Sequence, residues 1–298
     1  MKVRIAVAPG GAGFDAGGFA EFVQAAERLG FDTIWLSDVP MAEVVDPLVG
    51  LTFAAGRTTR LKLGANVVPI GRNPMLLAKE LAQLDQLSNG RLLLSLVPGL
   101  DQPGERQALG IGRANRGAYL DEVMPLLRQW WAGETVTHAS ERFGFDFDAV
   151  PVRPRPVQDP LELWLGGKGP QALARVGRLA DGWLGAAVVP DEVPAAIGAI
   201  EKAAADAGRA IDPEHFGLSI PYARRQPDER TVAALRARRR DDAPVEELLP
   251  VGGAALRNLL GRHTDAGLSK FVLRPVDPAD GLAAEMEWLA ETVLDLQT

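Results

Sequence analysis

The stretch Gly166-Gly167-Lys168-Gly169-Pro170 has the residue types and order most suited to chemistry. It follows a short apolar run and opens a helical pattern. Free backbone N–H groups, a helix dipole and the Lys168 ammonium are therefore expected to converge there, which suits a phosphate. A plain glycine turn is the alternative. The stretch is not a Walker loop, because Glu162 stands where that loop has its first glycine and Gly169 follows Lys168 in place of Ser or Thr.

Other candidates are weaker. GGAGFDAGG contains Gly11-x-Gly13-x-x-Ala16, a dinucleotide fingerprint in letters, but Gly17-Gly18 should delay the helix past the motif, so it reads as a flexible mouth loop. TIWLSD ends at Asp38, which brings an ionisable group to a strand's carboxyl end; a helix-capping carboxylate is the other reading. In LKLGANVVPIGRNP, the residues Gly64, Asn66 and Pro69 suggest a bulge or a close backbone approach. His138, His215 and His263 stand far apart, and His138-x-x-Glu141 alone makes no metal site, so no metal is expected. Without cysteine or a Gly-x-Ser-x-Gly elbow, the usual acyl-enzyme hydrolases lack their nucleophile signature. Arg236, Arg238, Arg239 and Arg240 read as a solvated helix face, with contact to an anionic tail as the alternative.

The elements that must position these groups alternate regularly. Strands are read at Val3–Ala8, Thr33–Ser37, Leu61–Val67, Leu92–Val97, Leu161–Leu165, Gly182–Ala186, Phe216–Ile220 and Phe271–Arg274, with helical patterns between them. Eight such units define an α/β fold, a (β/α)8 TIM barrel with active-site loops at the strands' carboxyl ends. Asp46-Pro47, Asn73-Pro74 and Asp277-Pro278 each place an Asx N-cap before a proline that starts a helix. Two insertions, Gly133–Pro160 after the fourth strand and Pro221–Pro250 after the seventh, are too long for plain loops and are candidate lids. They decorate a single domain, 1–298.

Composition narrows the class. A chain of 298 residues, 47% of them hydrophobic, can bury a large core. A net charge of −7 argues against general affinity for nucleic acid or anionic lipid. The apolar run in MKVRIAVAPGG is too short for a signal segment and no stretch approaches a membrane span, so a cytoplasmic protein is expected.

LGANVVPIGRNPMLLAKELAQLDQLSNGRLLLSLVPG resembles the signature segment of the bacterial luciferase-like monooxygenase superfamily. ERQALG, Trp131-Ala132-Gly133, LWLGGKGPQALARVGRLADGWLG and AGLSKFVLRPV extend the resemblance along nearly the whole chain. GGxGP, ADGWL and KFVLRP are similar to the branch that uses the deazaflavin coenzyme F420, although FMN-dependent members share much of this. The resemblance implies a homodimeric barrel with an isoalloxazine-like ring at the strand carboxyl ends and its phosphate near the fifth-strand loop. It also implies a non-prolyl cis peptide backing the ring, mapped to Asn66-Val67, with Asp38 beside the ring and Pro98-Gly99 at the end of the fourth strand. The implied cofactor residues are Asp38, Asn66, Val67, Pro98, Gly99, Gly166, Gly167, Lys168, Gly169 and Pro170.

Two departures bear on catalysis. Val39 stands where related deazaflavin dehydrogenases often carry histidine, and Leu100 where an acidic residue is usual, with Asp101 as a possible substitute. No catalytic residue is therefore assigned. The leading expectation is an F420-dependent oxidoreductase passing a hydride to or from a small organic substrate. The alternatives are an FMN-dependent monooxygenase and a catalytically silent deazaflavin-binding carrier or sensor.

Overall fold

The computed structural model describes residues 2–11, 13–100, 102–110, 112–236, 244–276, 278 and 281–298. Asp101, Arg238–Arg240 and the expected N-cap Asp277 lie outside the described residues. The strands are β1 (Arg4–Val7), β2 (Thr33–Ser37), β3 (Lys62–Val67), β4 (Leu92–Leu96), β5 (Thr135–Ser140), β6 (Phe145–Pro151), β7 (Leu163–Leu165), β8 (Gly182–Ala186), β9 (Phe216–Tyr222) and β10 (Lys270–Pro275). The helices are α1 (Ala16–Leu29), α2 (Pro47–Ala55), α3 (Pro74–Leu87), α4 (Pro103–Leu109), α5 (Arg113–Ala132), α6 (Pro170–Leu179), α7 (Val193–Asp206), α8 (Glu229–Arg236), α9 (Gly253–Asp265) and α10 (Leu282–Val293).

Eight parallel strands close in the order β1-β2-β3-β4-β7-β8-β9-β10, which is a (β/α)8 barrel. Outward strand residues such as Ile5, Ile34, Leu63 and Leu94 join the helices in one large core. Inward residues alternate with them and form a second cluster, Ala6, Ala8, Trp35, Trp164, Leu184 and Val272. The bulky indoles are matched by glycines: a Cβ at Gly64 would run into the Trp35 ring, and one at Gly182 into Trp164. The irregularity around Gly64 is thus a close approach, and the β2–β3 and β3–β4 registers continue through it.

Local caps behave as their chemistry requires at two of the three expected sites. Asp46 Oδ1 accepts from the N–H groups of Leu48 and Val49, and Asn73 Oδ1 from those of Met75 and Leu76. The last helix instead starts at Leu282 behind Gly281, whose φ of 84° suits glycine. The first helix starts before Gly17-Gly18, correcting the expected delay, because Asp15 caps it through the Gly18 N–H at 2.7 Å.

The first insertion is not a lid. It folds as an antiparallel β5–β6 hairpin clamped to the outer ring. Phe147 packs edge-on against Trp130 at 5.2 Å, Trp130 Nε1 donates to the Val150 carbonyl, and Asp85 on α3 receives the N–H groups of Val157 and Gln158. Its buried apolar residues draw it onto α5. The second insertion is pinned at its base by pairing of Ala223 with Val251.

The amino end of the barrel is closed by charge. Lys270 Nζ lies 2.9 Å from Asp32 Oδ2, with Lys62 3.4 Å and Arg4 3.7 Å from the other carboxylate oxygen. Burial pushes the Asp32 carboxyl up, but Lys270 and Lys62 outweigh it and hold it at about 2, below the ordinary 3.8. A depressed carboxylate stabilises the fold fully above its unfolded pKa, and that contribution is lost as pH falls toward the folded value. Stability should therefore drop by about 2 kcal/mol between roughly pH 4 and pH 2 on account of this group. Urea unfolding of the protein and of Asp32→Asn across that range checks it; the variant should show a flatter acid limb.

Candidate functional site at the barrel mouth

The strand carboxyl ends enclose a mouth of about 400 Å³. Ala8, Trp35, Leu36, Val39, Val97 and Leu184 give it apolar walls, while Ser37, Asn66, Ser219 and Arg274 supply its polar groups. A second cavity, an open groove of about 1200 Å³, runs between the amino-terminal half of α5 and the start of α6. Leu100, Gly166 and Gly167 line both, so mouth and groove share one rim.

The rim is glycine for a steric reason. A Cβ on Gly166 would stand 3.2 Å from the Leu184 carbonyl, and Gly167 has φ 101°. The Gly167 carbonyl accepts from Trp183 Nε1 at 2.8 Å, which fixes the turn. Gly169 caps α6 without any side-chain hydrogen bond, and Pro170 has no N–H. The first helical bond runs from Leu173 N–H to the Gly169 carbonyl, so the N–H groups of Gln171 and Ala172 precede it, and both residues line the groove. The groove also carries Arg116 and Arg175. Arg175 grips Asp121 through two bonds of 2.8 and 3.0 Å.

Opposite this turn, the end of β4 is held by a buried ion pair. Arg116 Nη1 donates to Glu105 Oε1 at 2.7 Å and to the Pro98 carbonyl at 2.6 Å, while Glu105 Oε2 receives the Leu100 N–H. Gly99, at φ 82°, leaves the space this pair fills; a Cβ there would collide with Glu105.

The residues expected from the sequence divide accordingly. Asn66 lines the mouth, Gly166 and Gly167 the shared rim, and Pro98, Gly99, Gly169 and Pro170 the groove. Three fall elsewhere. Asp38 is buried, accepting from Arg72 at 3.0 Å and from the Val68 N–H at 3.1 Å, so its carboxylate anchors the β2–β3 rim and lines neither cavity. Val67 packs outward in the large core. Lys168 is exposed, with Nζ 3.4 Å from the Ala187 carbonyl, because the Gly167 turn carries it past the groove. The expectation of a cis Asn66-Val67 bond is also corrected. The cis bonds among the described residues are Arg153-Pro154 and Asp159-Pro160. Asn66 and Val67 keep regular register with Ser95 and Leu96, and their carbonyls receive the N–H groups of Asp38 and Val97.

Sequence reasoning missed Ser37, Arg274, Arg175 and the Glu105–Arg116 pair. Ser37 and Arg274 obey the strand-end rule that singled out Asp38. The ion pair offered no local signal. Val39 and Leu100 do line the mouth, and both are apolar. Among the described residues no group of three His, Asp or Glu side chains is placed to hold a metal, and no helix is long and apolar enough to cross a membrane.

The class is thus a (β/α)8 barrel with a largely apolar mouth at its strand carboxyl ends, joined to a groove at the start of α6. Within it, this chain belongs to the luciferase-like monooxygenase family, whose family model matches residues 1–270. It is 30% identical over 182 residues to the F420-dependent glucose-6-phosphate dehydrogenase of Kineococcus radiotolerans, covering 57% of this chain and 52% of that protein. It is 30% identical over 201 residues to the 5,10-methylenetetrahydromethanopterin reductase of Methanolobus tindarius, covering 67% of this chain and 59% of that protein. The chain thus spans between half and two thirds of the length of the curated relatives it matches. An F420-dependent secondary alcohol dehydrogenase, solved with an F420-acetone adduct, superposes with a TM-score of 0.84 at 20% identity over the full length of both chains, a likeness of fold.

Proposed function

We propose that this barrel is an F420-dependent oxidoreductase acting on a small organic substrate. The observation that carries the reading is the continuity of the mouth with a groove that ends at the open start of α6. The names of the two relatives point the same way. The deazaflavin, when bound, supplies hydride chemistry at its ring. The N–H groups of Gln171 and Ala172, with Gly166 and Gly167, would hold its phosphate, in a groove whose two arginines, Arg116 and Arg175, are paired with Glu105 and Asp121. A groove of about 1200 Å³ beside a mouth of about 400 Å³ has room for a cofactor with a tail beyond its phosphate, which favours F420 over FMN. The apolar walls of the mouth would pack against the ring, with Ser37, Asn66, Ser219 and Arg274 as the polar groups beside it. Asn66 Oδ1, a buried atom with no hydrogen-bond partner on the mouth wall, fits a site completed by a ligand.

Turnover tests the reading. Oxidised F420 should lose its visible absorbance when the protein is mixed with a suitable member of a panel of alcohols, sugars and amines. Oxygen uptake with reduced FMN at a higher rate would favour the monooxygenase, and binding of F420 without any turnover would favour the carrier.

We also infer a cytoplasmic homodimer. α2 is apolar around most of its circumference, Val49 on it is 69% exposed, and Leu76 of the adjacent α3 is 51% exposed. Val49→Glu should convert the dimer to monomer in light scattering; an unchanged mass would remove this surface from the interface.

A further inference from the structure

We propose that Ser37 is the hydroxyl that meets the reacting oxygen of the substrate, held in place by Asn66, and that the substrate is accordingly an alcohol or its ketone or aldehyde partner. This rests on the oxidoreductase reading above.

Ser37 ends β2, is exposed and lines the mouth. Asn66 is its register partner on β3, and Asn66 Nδ2 donates to Ser37 Oγ at 3.0 Å. A serine hydroxyl has one hydrogen and two lone pairs. With a lone pair committed to Asn66, the hydrogen is directed away from it and toward the mouth. Behind Ser37, three inward side chains on consecutive strands each leave a buried polar atom without a partner: Trp35 Nε1, Asn66 Oδ1 and Ser95 Oγ. Asn66 and Ser95 are register partners. An unmet buried polar atom costs about 1–3 kcal/mol, and two of the three, on Trp35 and Asn66, belong to residues that line the mouth, which fits a wall completed by a polar ligand.

The rest of the mouth narrows the choice. Val39 and Leu100 have no side-chain hydrogen to donate, and the other donors of the mouth, Ser219 and Arg274, stand on β9 and β10, beyond β1 from Ser37. In the reductive direction, a bound reduced deazaflavin would supply the hydride that forms a C–H bond at the carbonyl carbon, with the C=O π pair moving to oxygen. Ser37 donates its hydrogen bond to that oxygen as charge develops. Solvent water would then supply the proton that completes the alcohol, the substrate having been reduced by the two electrons that the deazaflavin would lose. A neutral, preorientated donor is sufficient for this task, which explains how the mouth works with both expected acid–base positions apolar.

The test uses cyclohexanol and cyclohexanone, with 2-propanol and acetone as the smaller pair. Ser37→Ala should lose about 100-fold in kcat/KM, as removal of one oxyanion donor does elsewhere, with the Kd for F420 within about twofold of the parent. Ser37→Thr should recover most of the loss. Asn66→Asp should fall as far as Ser37→Ala, because a carboxylate only accepts and would draw the Ser37 hydrogen away from the mouth. As a readout without turnover, the Kd of cyclohexanone for the oxidised F420 complex, followed by deazaflavin fluorescence, should weaken about fivefold or more in both Ser37→Ala and Asn66→Asp. Unchanged kcat/KM and Kd in Ser37→Ala would overturn the proposal, as would turnover confined to enones or imines. A parent protein that fails to bind F420 at all would overturn the oxidoreductase reading itself.

Discussion

Ala172→Asp is expected to weaken F420 binding by about 100-fold, since a carboxylate about 5 Å from a phosphate costs roughly 3 kcal/mol at the effective dielectric of a protein surface. The stability of the fold should be unchanged or slightly higher. Ala172 is the third residue of α6, whose cap Gly169 makes no side-chain bond, and an acid in a first turn complements the helix dipole. The two outcomes are measured separately, by fluorescence titration and by thermal unfolding. A fall in affinity that came with a fall in Tm would point to damage in place of repulsion.

Arg116→Met is expected to cost about 3–5 kcal/mol of stability, the usual consequence of leaving one member of a buried ion pair behind. Arg116 and Glu105 are 3% and 4% exposed, so Glu105 would keep the Leu100 N–H as its remaining strong contact while buried. The Pro98-Gly99-Leu100 turn, which forms part of the shared rim, should loosen with it, and F420 affinity should drop as well. The double variant Arg116→Met with Glu105→Leu should regain much of the stability, because the desolvated charge is gone. Urea midpoints of the parent, the single and the double variants decide this; additive losses would show that the two side chains do not act as a pair.

What was legible in the sequence follows the range of the forces involved. The eight barrel strands are short, apolar and bounded by turn residues, and each observed strand lies within two residues of its expected ends. The caps at Asp46 and Asn73 were legible because a side chain reaching two or three residues along its own backbone is a local event. Gly166 and Gly167 were found for the same reason. Pairing across the chain was not legible. Strand-end position identified Asp38, but its direction is set by Arg72, 34 residues away. Arg116 and Glu105 meet only because α4 and α5 fold back beside the end of β4, and the hairpin of β5 and β6 takes its place from the packing of Phe147 and Phe143 against Trp130 and Tyr119 on α5. The cis bond at Asn66-Val67 came from resemblance alone, and the regular ladder on both sides of β3 leaves no need for it.

The central claim is that mouth and groove together hold a deazaflavin with its phosphate at the start of α6. Equilibrium titration of the protein with F420 and, separately, with FMN, followed by cofactor fluorescence, tests it most directly. The account predicts saturable binding of F420 with micromolar or tighter Kd, weaker binding of FMN, and a loss of F420 affinity in Ala172→Asp. Tight FMN binding with none of F420, or F420 affinity untouched by Ala172→Asp, would contradict it.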